Sequence, residues 1–202
     1  MSLRRVDRSL LLLGEHCYLD STDECYFCDH YECSRQPGIK PSILSLKRNL
    51  PFAITYFAQQ LGQVLPRKWA ANYIFAMPPA AGPPRQVRSM VNQLPVSDAR
   101  NLLLQRCDTP CSHDGWRLSP HQRERLLVVN ELAVDPEPNA IALVDDVLTT
   151  GCHYRAAKMT LRRRWPRLRV LGIFLARVCG QRGNRCCRAC CRGLPAQMAA
   201  NL

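Results

Sequence analysis

The fold of this chain is decided by the stretch Ala140-Ile141-Ala142-Leu143-Val144-Asp145-Asp146-Val147-Leu148-Thr149-Thr150-Gly151. Residues 140–144 are apolar without alternation, which is typical of a strand buried on both faces of a parallel sheet. Asp145 and Asp146 follow at the carboxyl end of this strand, where open α/β sheets bind their ligands. Residues 149–151, with their hydroxyls and backbone amides, then lead into a helical segment. The amino terminus of a helix favours phosphate binding because its backbone amides are free. The pattern predicts a site for a phosphorylated sugar; the alternative is a buried strand that ends in a polar turn.

Segment 144–151 resembles the phosphoribosyl-pyrophosphate (PRPP) motif of the type I phosphoribosyltransferases. This resemblance implies that Asp145 and Asp146 hold the 2- and 3-hydroxyls of the ribose. The residues implied to surround the 5-phosphate are Val147, Leu148, Thr149, Thr150 and Gly151. The family binds PRPP together with Mg²⁺, which is held mainly by pyrophosphate and ribose oxygens. The implied activity is that of a glycosyltransferase of nucleotide metabolism, which displaces pyrophosphate at C1 by positioning and charge stabilisation.

Strands that alternate with helices predict an α/β fold, with a parallel sheet flanked by helices as in the type I phosphoribosyltransferases. The predicted elements are helices over 51–65, 85–94, 97–106 and 152–165, and strands over 73–77, 140–144 and 170–176. We expect three regions. They are an N-terminal cysteine-bearing lead with a possible knuckle or hood (1–48), the phosphoribosyltransferase-like domain (49–178) and a basic, cysteine-rich C-terminal tail (179–202).

Two further elements of the family can be placed by their order along the chain. The first is the turn after the strand at 73–77, which would present backbone amides and arginines to pyrophosphate. Its predicted residues are Ala80, Ala81, Gly82, Arg85 and Arg88. The second is a mobile loop at 107–118 that closes over the reacting centre; its predicted catalytic residues are Arg106, His113 and Arg117. The alternatives are a plain strand-to-helix turn with surface arginines and a surface loop with a solvated histidine.

Thr149 is a departure from the pattern of some family members. Enzymes that act on 6-oxopurines usually have an aspartate at the matching position, beside the base nitrogen. A threonine cannot accept a proton as that carboxylate does. This disfavours hypoxanthine and guanine as acceptors, and the acceptor stays unidentified.

The cysteines near the start of the chain suggest a metal site. Cys25 and Cys28 have knuckle spacing, and Cys33 could add a third thiolate to a zinc ion. The competence protein F family, which shares the phosphoribosyltransferase-like domain, often has such a zinc knuckle ahead of it. The alternative is that these thiols serve as small apolar packing residues. In the tail, the four cysteines of 186–191 could take a soft metal or belong to an oxidation-prone basic segment.

The net charge of +12 over 202 residues indicates an affinity for anions. A basic surface for nucleic acid or a protein partner is one interpretation, and a solvated basic face is the other. The charge supports an alternative function, a non-catalytic PRPP or nucleotide sensor that acts as a regulator or effector in DNA uptake or phage defence. No apolar run reaches the roughly 18 residues of a membrane span, and Leu10–Leu13 is too short for a signal core. We therefore expect a cytoplasmic protein.

Overall fold

The described part of the chain is built on a central, mostly parallel β-sheet. The computed structural model describes residues 3–6, 18–20, 22–31, 38–76, 85–94, 102–106, 118–134 and 137–178. In chain order the elements are β1 (Arg4–Arg5), β2 (Glu24–His30), α1 (Lys40–Lys47), α2 (Pro51–Val64), α3 (Arg67–Asn72), β3 (Ile74–Ala76), α4 (Arg85–Val91), β4 (Leu103–Gln105), α5 (Pro120–Glu124), β5 (Leu127–Val129), a short 3-10 helix (Glu131–Ala133), β6 (Ala140–Leu148), α6 (Cys152–Arg164) and β7 (Arg169–Arg177).

Five strands form the central sheet in the order β1-β2-β7-β6-β3. Strands β2, β7, β6 and β3 run parallel, and β1 pairs antiparallel with β2 at one edge. The apolar run at 140–144 lies in β6, which pairs on both sides and is almost completely buried. A separate antiparallel pair is formed by β4 and β5. The prediction of an α/β fold with a mostly parallel sheet flanked by helices is confirmed.

The hydrophobic core lies on both faces of the sheet. On one face α1, α2, α3 and α4 contribute buried residues such as Leu46, Phe57 and Met90. On the other face α6 and the β4–β5 pair contribute residues such as Leu102, Tyr154 and Leu161. Successive side chains of a strand point to opposite faces, so β6 and β7 supply apolar residues to both clusters.

Most of the predicted elements occur in the structure, and one is wrong. The predicted helices at 51–65, 85–94 and 152–165 correspond to α2, α4 and α6, and the three predicted strands lie in β3, β6 and β7. The helix predicted over 97–106 is wrong because 103–105 form β4, with Leu103 paired to Val129. Leucine favours helices locally, but here the pairing with β5 decides the conformation.

The segment predicted as a lead contributes two strands, β1 and β2, to the central sheet. Strand β2 pairs with β7 from Glu24 opposite Leu171 to His30 opposite Arg177. Residues 24–30 therefore belong to the same sheet as the motif strand. The predicted tail at 179–202 lies outside the described residues.

None of the helices in the described ranges combines the length and the apolar character that a membrane crossing requires.

Candidate functional site

The predicted motif occupies the turn between β6 and α6. Strand β6 ends at Leu148 and α6 begins at Cys152, so 149–151 form the connection. Gly151 has a left-handed backbone with φ of 76°, and a Cβ atom there would lie 2.5 Å from Cγ of Leu19. Both the backbone angle and the close contact explain why glycine ends the motif. The site is thus positioned by the central strand of the sheet and by the amino terminus of a 13-residue helix.

The acid pair lies at the carboxyl end of β6 and is contacted by a lysine. The backbone N–H of Asp146 donates a hydrogen bond of 2.9 Å to Oδ1 of Asp145. Oδ2 of Asp146 lies 2.9 Å from Nζ of Lys47, the last residue of α1. No sequence pattern marks Lys47, because a lysine at the end of an amphipathic helix has the pattern of an ordinary surface residue.

The surroundings shift the protonation of these groups. Burial, and then the nearby negative charge of Asp146, raise the pKa of Asp145 to about 7. Burial alone would lower the pKa of Lys47, but the carboxylate of Asp146 outweighs it and raises the pKa. Lys47 is therefore a charged ammonium group beside the pair, while Asp145 exchanges a proton near neutral pH.

The turn after the acid pair is polar and held from two sides. Oγ1 of Thr150 accepts the N–H of Cys152 at 3.3 Å, and the carbonyl of Thr150 accepts the N–H of Tyr18 at 2.9 Å. Thr149 is exposed. The positive end of the α6 dipole lies at this turn and favours an anion there.

Behind the turn, the first residues of α6 contact Leu118, the last residue of the predicted mobile loop, and the helix α5 that follows it. The Cys152 thiol donates to the carbonyl of Leu118 at 3.1 Å. Burial, and then the positive charge of Arg123, lower the pKa of His153 to about 4. Arg123 is itself buried, and its Nε has no hydrogen-bond partner among the residues that the structure describes. The far end of the predicted mobile loop is thereby fixed next to the motif.

The structure places only some of the other predicted site residues. Ala80, Ala81, Gly82, His113 and Arg117 lie outside the described residues. Because β3 and β6 are parallel neighbours, the turn that follows β3 begins at the same edge of the sheet as the acid pair.

Three of the four predicted arginines lie at different places in the described part. Arg85 begins α4, and the exposed Arg88 lies one turn further along that helix. Arg106 follows β4, where its N–H donates to the carbonyl of Leu126 at 2.8 Å.

Two of the three predicted zinc ligands, Cys25 and Cys28, lie on opposite faces of the sheet. Cys25 and Cys28 are both buried in β2, and Cys33 lies outside the described residues. Cys25 packs in the cluster that contains Tyr154, whereas Cys28 packs in the cluster on the other face of the sheet. Three positions along a strand is an odd number, so the two thiols point to opposite faces. Burial raises the pKa of Cys28 to about 12, which is the behaviour of an apolar packing residue.

A surface groove of about 400 Å³ lies away from the motif, along α5 and α6. Three of its cations already have acidic partners: Lys158 binds Asp23 at 2.6 Å, Arg155 binds Asp23 at 2.7 Å, and Arg163 binds Glu124 at 2.8 Å. The groove therefore offers little uncompensated charge to a ligand, and the motif remains the candidate site.

No protein-family model matches this chain, and no curated protein matches its sequence.

Proposed function

We propose that this chain is a type I phosphoribosyltransferase-like protein that binds PRPP with Mg²⁺ through residues 145–151. It transfers the phosphoribosyl group to an acceptor and releases pyrophosphate. The observation that carries the proposal is the position of the motif. The acid pair lies at the carboxyl end of a central parallel strand, and a short polar turn connects this strand to the start of α6. This is the arrangement that a ribose phosphate requires, since its hydroxyls and its phosphate lie on opposite sides of the sugar ring.

In this proposal each part of the site has a separate role. Asp145 and Asp146 accept the two ribose hydroxyls, and the turn at 147–151 binds the 5-phosphate with the α6 dipole behind it. The pyrophosphate leaves towards the turn after β3. Arg88, in the helix α4 that follows this turn, supplies positive charge for it. Holding the sugar at both ends leaves C1 open to the acceptor, which lowers the entropic part of the barrier.

The donors near the acid pair suit a magnesium ion that arrives on PRPP. The described ranges contain no group of three or more His, Cys, Asp or Glu side chains that could hold a metal. A magnesium ion would be held mainly by phosphate and ribose oxygens, as this cation often is. When bound, it would neutralise charge on the departing pyrophosphate.

The first test is calorimetric titration with PRPP and Mg²⁺. The double variant Asp145→Asn/Asp146→Asn should lose binding by at least about 100-fold, because two charged hydrogen-bond acceptors disappear. The matched control is Glu131→Gln/Glu137→Gln, which changes the net charge equally at exposed positions away from the motif. Binding by the acid-pair variant at the wild-type level would refute the proposal.

An alternative function is a PRPP or nucleotide sensor that also engages nucleic acid or a protein. The net charge of +12 favours it, because a small phosphorylated sugar does not need a basic surface of that size. A screen of acceptor bases distinguishes the two functions by measuring pyrophosphate release. An enzyme releases pyrophosphate with one of the bases, whereas a sensor binds PRPP and releases none.

A further inference from the structure

The two carboxyl groups of the motif each have one oxygen bound by a donor within the protein. Lys47 contacts Oδ2 of Asp146, and the N–H of Asp146 donates to Oδ1 of Asp145, both at 2.9 Å. An ionised carboxylate can accept hydrogen bonds at both of its oxygens. The pair can therefore still accept one hydroxyl on each side chain, and its orientation is fixed before a ligand arrives.

Lys47 is held in this place by the helix that carries it. Ile43 and Leu46 of α1 are fully buried in the core, which anchors the last turn of the helix against the sheet. The Lys47 side chain remains 42% exposed, while that of Asp146 is 13% exposed. The carboxyl end of α1 also favours a cation through the helix dipole. A positive charge is thus built in beside the acid pair.

This charge changes what the pair can bind. Two adjacent carboxylates without a counter-ion suit a divalent cation, because hard cations prefer carboxylate oxygens. The Lys47 ammonium group, 2.9 Å from Oδ2 of Asp146, occupies one of those oxygens and offsets one negative charge. It repels a second cation, but it leaves acceptors for neutral hydroxyl donors.

We propose that Lys47 is a positioning residue that makes the acid pair specific for a vicinal diol and excludes a divalent cation from direct contact with it. This inference rests on the proposed function, since the diol is that of the ribose. It also assigns magnesium to the pyrophosphate side of the ligand rather than to the aspartates.

The first experiment uses MnCl₂ alone and measures bound Mn²⁺ by electron paramagnetic resonance. Lys47→Met should bind one Mn²⁺ at least tenfold more tightly than the wild type, and Lys47→Met/Asp146→Asn should lose that site. Lys47→Arg retains the charge and should behave as the wild type. Lys68→Met, at an exposed position on α3, is the matched control. The inference is wrong if Lys47→Met gains no Mn²⁺ affinity.

The second experiment compares ribose 5-phosphate with 2-deoxyribose 5-phosphate by calorimetry. The wild type should prefer ribose 5-phosphate by about tenfold, the usual effect of one hydrogen bond to a charged group. Lys47→Met should weaken ribose 5-phosphate binding and reduce this preference. An equal loss for both sugars would indicate a purely structural role and overturn the inference. If neither sugar phosphate binds the wild type, the proposed function fails, and the Mn²⁺ titration still decides the role of Lys47.

Discussion

Adjacent residues with the same side chain have different chemical states at this site. Asp146 is fixed by an ammonium group, whereas Asp145 is buried beside a negative charge. A carboxyl group in that position is costly to ionise. Asp145 is therefore the group of the pair that responds to pH near neutrality.

The raised pKa of Asp145 predicts a pH-dependent stability. In the unfolded chain this group has an ordinary pKa of 3.8, whereas in the folded chain it titrates near 7. Its protonated form stabilises the fold below about pH 4, and this contribution is lost as the pH rises to 7. Asp145→Asn does not ionise, so it should exceed the wild type in free energy of unfolding by about 4 kcal/mol at pH 8, but by little at pH 4, because each unit of pKa difference corresponds to about 1.4 kcal/mol.

Urea denaturation at several pH values measures this difference. Glu137→Gln, an equal change of charge at an exposed position, serves as the control. A difference between Asp145→Asn and the wild type that stays constant from pH 4 to pH 8 would contradict the prediction.

The sequence could predict the residues of the motif but not their partners. Residues 145–151 are contiguous, and their order alone indicates a strand end, an acid pair and a phosphate-binding turn. Lys47, Leu19 and Arg123 come from distant parts of the chain, and only the folded arrangement brings them to the site. Each has a residue type that is common at surfaces or in cores, so no local pattern marks it.

At the scale of elements, the segment 18–23 is fastened to α6 by a compact ion-pair group. Asp23 accepts Nζ of Lys158 at 2.6 Å and Nη1 of Arg155 at 2.7 Å. The side chains of Asp23 and Lys158 are 1% and 5% exposed, whereas that of Asp20, which also contacts Arg155, is 42% exposed. Together with the Tyr18–Thr150 hydrogen bond, this group holds the segment against the turn at 149–151.

We expect the two aspartates of this group to differ strongly in their contribution to stability. Asp23→Ala leaves the Lys158 ammonium buried without its carboxylate, which should lower the free energy of unfolding by about 3–5 kcal/mol. Asp20→Ala removes an exposed partner and should cost at most about 1 kcal/mol. Urea denaturation measures both values. The double variant Asp23→Ala/Lys158→Met should recover most of the loss, and equal costs for Asp20→Ala and Asp23→Ala would show that burial is not the cause.

Element prediction succeeded where burial and local pattern agree. The continuous apolar runs at 140–144 and 170–176 become buried parallel strands, and Pro51 begins α2 as expected of proline in a first turn. It failed at β4, where the conformation depends on a partner strand that comes later in the chain. The role of β2 was also not predicted, because its mixed cysteine, aromatic and acidic residues lack a clear apolar run.

For the whole molecule, part of the basic sequence is already neutralised by acidic partners. Several arginines of the basic segment near 162–169 are paired with acids. The pairs are Arg163 with Glu124, Arg164 with Glu131 and Arg169 with Glu24. A cation that already binds a carboxylate gains less from a phosphate, because it must exchange one partner for another. The tail adds four further arginines, Arg182, Arg185, Arg188 and Arg192.

This distribution of charge predicts which arginines matter for nucleic-acid binding. Neutralising Arg182, Arg185 and Arg188 to Gln should flatten the salt dependence of binding to mixed-sequence duplex DNA more than neutralising the same number of paired arginines, Arg163, Arg164 and Arg169. Each lost phosphate contact changes the slope of log affinity against log salt by about 0.9. Filter binding between low and moderate salt measures the slopes. A larger effect of the paired set would contradict the prediction, and no retention at low salt would remove nucleic acid as a partner.

The order of strands in the sheet has a consequence for how the chain is made. Strand β7 lies between β2 and β6, yet it follows both of them in the sequence. During synthesis β2 and β6 therefore each keep an unpaired edge until β7, the strand that lies between them, has left the ribosome. Such long-range parallel pairing forms slowly, and an unpaired edge can meet another chain in the meantime. The pairing of β2 with β7, which places Glu24 opposite Leu171, thus closes an edge that is open in the nascent chain and completes the sheet.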